Sequence, residues 1–317
     1  MISKSMLKRF FCPLANRASV LVLCLWAIMI LSILGMGLSS FVFQQIKFAK
    51  TYKHIVMSLP AARAAAKSVF YIRQDDDTPL YDTYDELTCE NRLNICQGIF
   101  CLYYFADKIA CDEGVTAVDE GALININVVS GDVLARLPGM NKELADDIIK
   151  SGLRPFASIN EVLLVEGVPK ESFLQFKDMI TVHGEGRINV NTVSRQVLEA
   201  LGLDEEVAKA VIDYRNTHQI ILSEDDKEAG GYGEEEHSGS EPEYGLSDLS
   251  DLLEGVKDLV FLSTRQQQDL LALFSVFDVK SEYLRFNIIP VFGADKGLRY
   301  SVVIHPGSGR VVSWKEG

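Results

Sequence analysis

The first 46 residues contain no acidic side chain, and from Ala18 to Ile46 there is no charge of either sign. At ~1.5 Å per residue, about 20 apolar residues cross a bilayer, so this 29-residue run, bounded by Arg17 and Lys47, is long enough to span one as a helix. Trp26, Met29 and Leu34 leave it no polar face, which excludes the amphipathic stripe of a core-facing helix. It also exceeds the ~7–15-residue apolar core of a cleaved secretory signal. Basic residues are in deficit across the 317-residue chain: 31 Lys+Arg stand against 44 Asp+Glu, a net charge of −13. That balance excludes a broad phosphate-binding surface, because affinity for a nucleic-acid backbone comes largely from Lys and Arg. Histidine is scarce as well. The five, His54, His183, His218, His237 and His305, are scattered, with no H-E-x-x-H pair. There is no G-x-S-x-G and no phosphate-cradling Gly-rich loop ending in Lys; Gly307-Ser308-Gly309 falls in a turn and Gly230-Gly231-Tyr232-Gly233 in an acidic stretch. No catalytic constellation emerges, and the expectation is a protein that is not an enzyme.

What the sequence does contain is ordered along the chain. Lys4, Lys8, Arg9 and Arg17 precede the uncharged run, so the positive-inside rule keeps residues 1–17 in the cytoplasm and sends everything after Lys47 outward. Ile55, Leu59, Ala62, Ala66, Val69 and Phe70 then recur at helical spacing, continuing the helix as a stalk. Pro60 is expected to kink or restart it, with Ser58 as the cap. Six cysteines fall into two sets. Cys12 and Cys24 lie in the leader and apolar run; Cys89, Cys96, Cys101 and Cys111 cluster in the exported part, where they suit two disulfides in any of three pairings. A zinc site is the alternative, although no C-x-x-C pair or nearby His supports it.

An internal repeat follows. Ile124-Asn125-Ile126-Asn127-Val128-Val129-Ser130 is matched 64 residues later by Ile188-Asn189-Val190-Asn191-Thr192-Val193-Ser194. Each copy reads as a capped helix, a Gly turn and a second helix, and residues 158–180 rhyme with 247–274. Such hairpins invite a DNA-binding reading. Neither turn, Leu137-Pro138-Gly139-Met140-Asn141 or Leu201-Gly202-Leu203-Asp204, keeps a second Gly. From Asp112 to Phe274 there are about 32 acidic and about 13 basic residues, so no nucleic-acid partner is expected. The stretch 223–244 reads as a solvated loop. Its Glu224, Asp225, Asp226, Glu234, Glu235 and Glu236 are also the candidate oxygen ligands for calcium, without EF-hand spacing. Strand-like runs at 98–105, 283–289, 298–304 and 310–314 flank the repeats, the last two joined by a His305–Gly309 turn. One small antiparallel sheet interrupted by a duplicated helical insertion, an α+β architecture behind an N-terminal membrane helix, accounts for all of these.

A basic leader, an uncharged helix running into a stalk, a small sheet and a paired insertion carrying INxN-x-x-S-x-x-VL-x-x-L resemble the minor pseudopilin K family of type II secretion systems. The features that carry the resemblance most specifically are Asp119–Asn127, Ile188–Thr192 and Val207–Arg215. It implies a cytoplasmic leader over 1–18, a transmembrane helix over 19–46, and a stalk with the first part of a pilin-like domain over 47–111. SAM-like helical repeats would occupy 112–185 and 186–274, and the closing strands 275–317. It further implies prepilin peptidase cleavage between Ala18 and Ser19, leaving Leu23 at mature position five, where other pseudopilins carry an acid. Ala18 itself departs from the family, which has Gly before the cut. The implied role is structural: a single-pass protein of the bacterial inner membrane, largely periplasmic, that caps a pseudopilus with minor pseudopilins I and J above the major pseudopilin. Calcium is reported for the family, and no other cofactor is implied. The rival reading of the same hairpins is a membrane-anchored DNA-uptake receptor.

Overall fold

The computed structural model describes residues 14–74, 81–83, 101–105, 117–220, 244–292, 295–296 and 298–316. The chain divides into two compact units, residues 1–57 and residues 58–317. Helix α1 (Leu14–Gln74) is 61 residues long. From Val20 to Val56 its apolar side chains are exposed, with Leu23, Phe43 and Phe48 each about 70% exposed. The stretch from Val20 is long and apolar enough to cross a membrane, with a mean hydropathy of 2.6 in its most apolar window. The helix ends at Gln74, just before Asp75-Asp76-Asp77.

The expected restart at Pro60 does not occur, because α1 is continuous through it. An interior proline costs a helix about 3 kcal/mol. Here the residues after it compensate. Ala61, Ala62, Ala65 and Ala66 are buried on the sheet, their small side chains bringing the helix close to it. Ser58 does not act as a cap; its Oγ accepts a hydrogen bond from the Leu298 amide, 3.3 Å away.

The sheet of the second unit is antiparallel. It comprises β1 (Cys101–Phe105), β2 (Ala117–Asp119), β7 (Leu284–Phe292), β8 (Asp295–Lys296), β9 (Tyr300–His305) and β10 (Arg310–Glu316). Its path runs β1-β7-β9-β10, with β2 and β8 also paired to β7. Period-two alternation puts Leu284, Phe286 and Ile288 of β7 and Tyr300, Val302 and Ile304 of β9 on one face, against the alanines of α1. Trp314 of β10 joins them, its ring 5.4 Å from Tyr300. The β9–β10 connection is the turn read from the sequence, closed by the Gly309 amide donating to the His305 carbonyl at 2.9 Å, with Gly309 at φ +64°.

All of 120–283 is inserted between β2 and β7. The first repeat opens with β3 (Ile124–Asn125), followed by α2 (Gly131–Leu134) and α3 (Lys142–Lys150), a 3-10 stretch Ile159–Leu164, α4 (Lys170–Phe176) and β4 (Ile180–Thr181). The second has β5 (Ile188–Asn189), α5 (Arg195–Leu201), α6 (Glu205–Thr217), α7 (Leu252–Leu259), α8 (Thr264–Leu273) and β6 (Phe277–Asp278). Each repeat closes on itself by a short parallel bridge, Ile124 opposite Ile180 in one and Ile188 opposite Phe277 in the other. Caps set the helix starts. Asn141 accepts from the Leu144 amide, Ser194 from Val197, and Ser263 with Gln266 forms a reciprocal capping box. One continuous core, from Ile124 and Leu134 through Val197 and Leu198 to Leu270 and Phe277, runs through both repeats.

Candidate functional site

The duplicated asparagines are accounted for atom by atom. The first of each pair folds the strand into a turn: Asn125 Oδ1 accepts from the Asn127 amide and Asn189 Oδ1 from the Asn191 amide, both at 2.9 Å. The second clamps a distant backbone segment with both ends of its amide. Asn127 accepts from the Phe156 amide (2.7 Å) and donates to its carbonyl (2.9 Å); Asn191 does the same with Leu246 (2.8 Å each). An arginine at the end of each hairpin completes the stitch. Arg154 donates to the Val129 carbonyl (3.1 Å), and Arg215 to those of Val190 (2.8 Å) and Val193 (2.6 Å). The INxN motif therefore spends its polar atoms on the fold.

Where the repeats meet the sheet, two adjacent acids at the end of β2 turn opposite ways. Asp119 is buried and takes four donors: the Gly121 amide (2.7 Å), Ser281 Oγ (2.6 Å), Thr192 Oγ1 (2.5 Å) and Asn189 Nδ2 (3.1 Å). Burial pushes its carboxyl above the ordinary range, against the pull of these hydrogen bonds. Asp82 lies alongside, accepting from the Ser281 amide at 2.7 Å. Glu120, equally buried, ion-pairs with Arg285 of β7 (2.5 Å) and accepts a short hydrogen bond from Thr181 of β4. Asp119 thus fastens the second repeat to the sheet, and Glu120 the first. Around this junction lies a small cleft lined by Glu120, Asn125, His183, Lys280 and Tyr283. Burial pulls His183 below its ordinary pKa, with Glu120 opposing and the charges of Arg285 and Lys315 adding. Lys315 of β10 is likewise lowered by burial and by Arg285. In the sequence Asp119-Glu120 opens the Asp119–Asn127 motif, and neither acid has a role legible there. The available signal was two adjacent acids between a strand and the INxN run.

The hairpin turns offer little to an anion. Gly139 has φ +71°, and a Cβ there would fall 2.8 Å from the Gln175 amide oxygen; at Gly202, φ +116°, it would fall 2.6 Å from the Arg136 guanidinium. A side chain thus packs against each glycine, an uncharged amide at the first and a guanidinium at the second. The second opens onto Asp204, Glu205 and Glu206, whose carboxylates already complement the N-terminus of α6. The remaining sequence-stated sites are dispersed. Ala18 and Ser19 lie within α1, and Leu23 is exposed on it. Cys101 is in β1 opposite Val291, whereas Cys89, Cys96 and Cys111 lie outside the described residues. So do all six calcium candidates, Glu224, Asp225, Asp226, Glu234, Glu235 and Glu236. Among the described residues no three His, Cys, Asp or Glu side chains are grouped to hold a metal.

Comparison with known proteins adds three similarities. Residues 119–181 match the helix-hairpin-helix motif model. The mouse and rat endonuclease/exonuclease/phosphatase family domain-containing protein 1 are each 25% identical over 151 residues, covering 37% of this chain; the chain spans about a quarter (26%) of the length of these relatives. In three dimensions the chain is similar to a chain of the crystallised GspK-GspI-GspJ complex of the type 2 secretion system of enterotoxigenic Escherichia coli. The TM-score is 0.54 at 13% identity, over 86% of this chain and 99% of the other, so the two share a fold across nearly their whole lengths.

Proposed function

We propose that this chain is a non-catalytic minor pseudopilin of the K type, anchored by a single helix in a bacterial inner membrane with its bulk in the periplasm. It would cap a type II secretion pseudopilus together with minor pseudopilins I and J. One observation carries the reading: a chain with an apolar N-terminal helix, and with a sheet packed on Ala61–Ala66 and interrupted between β2 and β7 by two hairpin repeats, is aligned over 86% of its length with a member of the GspK-GspI-GspJ complex. The mechanism follows from physical form. Side chains of residues 20–46 face outward along α1, so partner helices can replace lipid around it as the assembly extends. The wide double repeat would obstruct further addition on its own side. No acid stands at Leu23, consistent with a subunit that receives no neighbour above it.

The test is the intact mass and N-terminal residue of the protein isolated from membranes after co-expression with a prepilin peptidase. A chain beginning at Ser19 is expected; one still beginning at Met1 refutes processing in the pilin pathway. Deletion in the host should alter pseudopilus length and reduce secretion, and unchanged values refute the cap. The helix-hairpin-helix match favours a second reading, an anchored receptor for duplex DNA. It requires salt-sensitive DNA binding by the full chain, and absence of a gel shift at low salt removes it.

A further inference from the structure

The second halves of the two repeats superpose in sequence at an offset of 97 residues, and burial follows the same offset. Val165 and Leu262 are both buried, as are Phe173 and Leu270, and Ile180 and Phe277. Two positions behave differently. Leu164 and its counterpart Phe261 are 69% and 92% exposed; Leu174 and its counterpart Leu271 are 51% and 47% exposed. Leu164 closes the 3-10 stretch ahead of α4 and Phe261 precedes α8, whereas Leu174 and Leu271 lie on those helices. Single exposed apolar residues need no explanation. The same two positions left apolar and exposed in both copies, while the surrounding sequence has diverged, mark a surface with a use.

Charge identifies what would sit there. Residues 161–178 hold four carboxylates and two basic groups, and their counterparts 258–275 hold two and one, so the patches have local net charges of −2 and −1. A carboxylate recurs at the equivalent place three residues before the exposed position: Glu161 before Leu164 and Asp258 before Phe261. Such a rim disfavours nucleic acid and anionic lipid and suits an apolar anchor flanked by Lys or Arg. We propose that each repeat carries one docking site for a basic amphipathic protein segment, Leu164–Leu174 forming the first and Phe261–Leu271 the second. The two sites are held in fixed relation by the core the repeats share. The inference goes beyond the capping role and stands independently of it.

The test uses the full chain in zwitterionic nanodiscs, with empty nanodiscs subtracted. An 18-residue Leu/Lys amphipathic peptide is titrated by calorimetry beside its Leu/Glu counterpart. Two sites per chain are expected for the Leu/Lys peptide and none for Leu/Glu. Leu164→Ser with Leu174→Ser should weaken one site at least about tenfold, and Phe261→Ser with Leu271→Ser the other, as loss of a buried Leu or Phe anchor implies. Because these side chains are exposed, thermal melts should stay unchanged. Glu161→Gln and Asp258→Asn should weaken the same sites without touching the apolar contact. Unchanged binding in the fourfold Ser variant overturns the proposal, since acidity alone would then explain it. Leu/Glu binding, or capture of anionic vesicles by the patches, overturns it equally.

Discussion

Replacing Asp119 by alanine tests the junction between sheet and repeats at its most connected atom pair. The carboxylate accepts from the Gly121 amide, the Ser281 and Thr192 hydroxyls and the Asn189 amide. Without it Asn189 Nδ2 keeps the Asp82 carbonyl (3.2 Å) and Ser281 Oγ (2.8 Å), and Thr192 keeps a long contact to the Asn189 carbonyl (3.4 Å). The Gly121 amide and the Ser281 hydroxyl proton lose their acceptor. At ~1–3 kcal/mol for each buried group left unsatisfied, Asp119→Ala should cost about 3–5 kcal/mol. Asp119→Asn retains an oxygen for Gly121 and lets the hydroxyls turn to accept, so its cost should be ~1 kcal/mol. The assay is urea unfolding of the detergent-solubilised chain followed by near-ultraviolet circular dichroism, with a thermal melt expected to fall by ~2–4 °C per kcal/mol. Half-exposed Asp146, paired with Lys150, is the control, and its alanine variant should stay within ~0.5 kcal/mol. The pH dependence has a definite sign. A carboxyl raised by burial binds its proton more tightly in the folded state, so its contribution is fully present below ~3.9 and is lost as pH rises through the folded value. Wild type should therefore lose ground to Asp119→Asn as pH rises across that window. An Asp119→Ala cost below 1 kcal/mol, or the opposite pH trend, refutes the argument.

Three further outcomes follow from single contacts. Gly255→Ala would place a Cβ 2.1 Å from the Tyr214 ring. The ~1 kcal/mol gained in helix propensity should be outweighed, giving a net loss of ~1–3 kcal/mol that Tyr214→Ala relieves non-additively in a double-mutant cycle. Asn127→Ala and Asn191→Ala each strand an amide and a carbonyl, of Phe156 and Leu246 respectively. Both should cost about 2–4 kcal/mol in the same unfolding assay and agree within ~1, unequal values contradicting equivalent repeats. Glu120→Gln removes a charge that raises His183, so nuclear magnetic resonance should show His183 titrating at lower pH, and an unmoved titration disproves their coupling.

Periodicity made much of this fold legible. The uncharged run, the repeated INxN segments and the alternating strands each carry a recognisable pattern, and strands left without local partners imply a sheet interrupted by helices. The elements that escaped are those whose stability comes from elsewhere in the chain. β2 is three residues long, too short for any period, and exists because Ala117, Val118 and Asp119 find Phe286, Arg285 and Leu284 on β7. The helix continues through Pro60 because four alanines beyond it meet a sheet formed some 220 residues later. A proline is a local signal; its compensation here is tertiary.

The junction illustrates the same limit for function. Three of the four partners of Asp119 lie 70, 73 and 162 positions away, and those of Glu120 61 and 165 away, so no window of sequence contains them. The asparagines are the converse case: conspicuous in sequence as a repeat, they place the amides of Asn127 and Asn191 on Phe156 and Leu246. In this chain the helix-hairpin-helix pattern shows how two helices turn and stitch, and the phosphate-binding chemistry often associated with it calls for positive charge. At the second turn Asp204, Glu205 and Glu206 crowd the start of α6 with negative charge, against the single guanidinium of Arg136 beside Gly202. What remains for recognition is the surface that neither core nor hydrogen bond consumes, and on the repeats that surface includes the twice-presented apolar pairs beside Glu161 and Asp258.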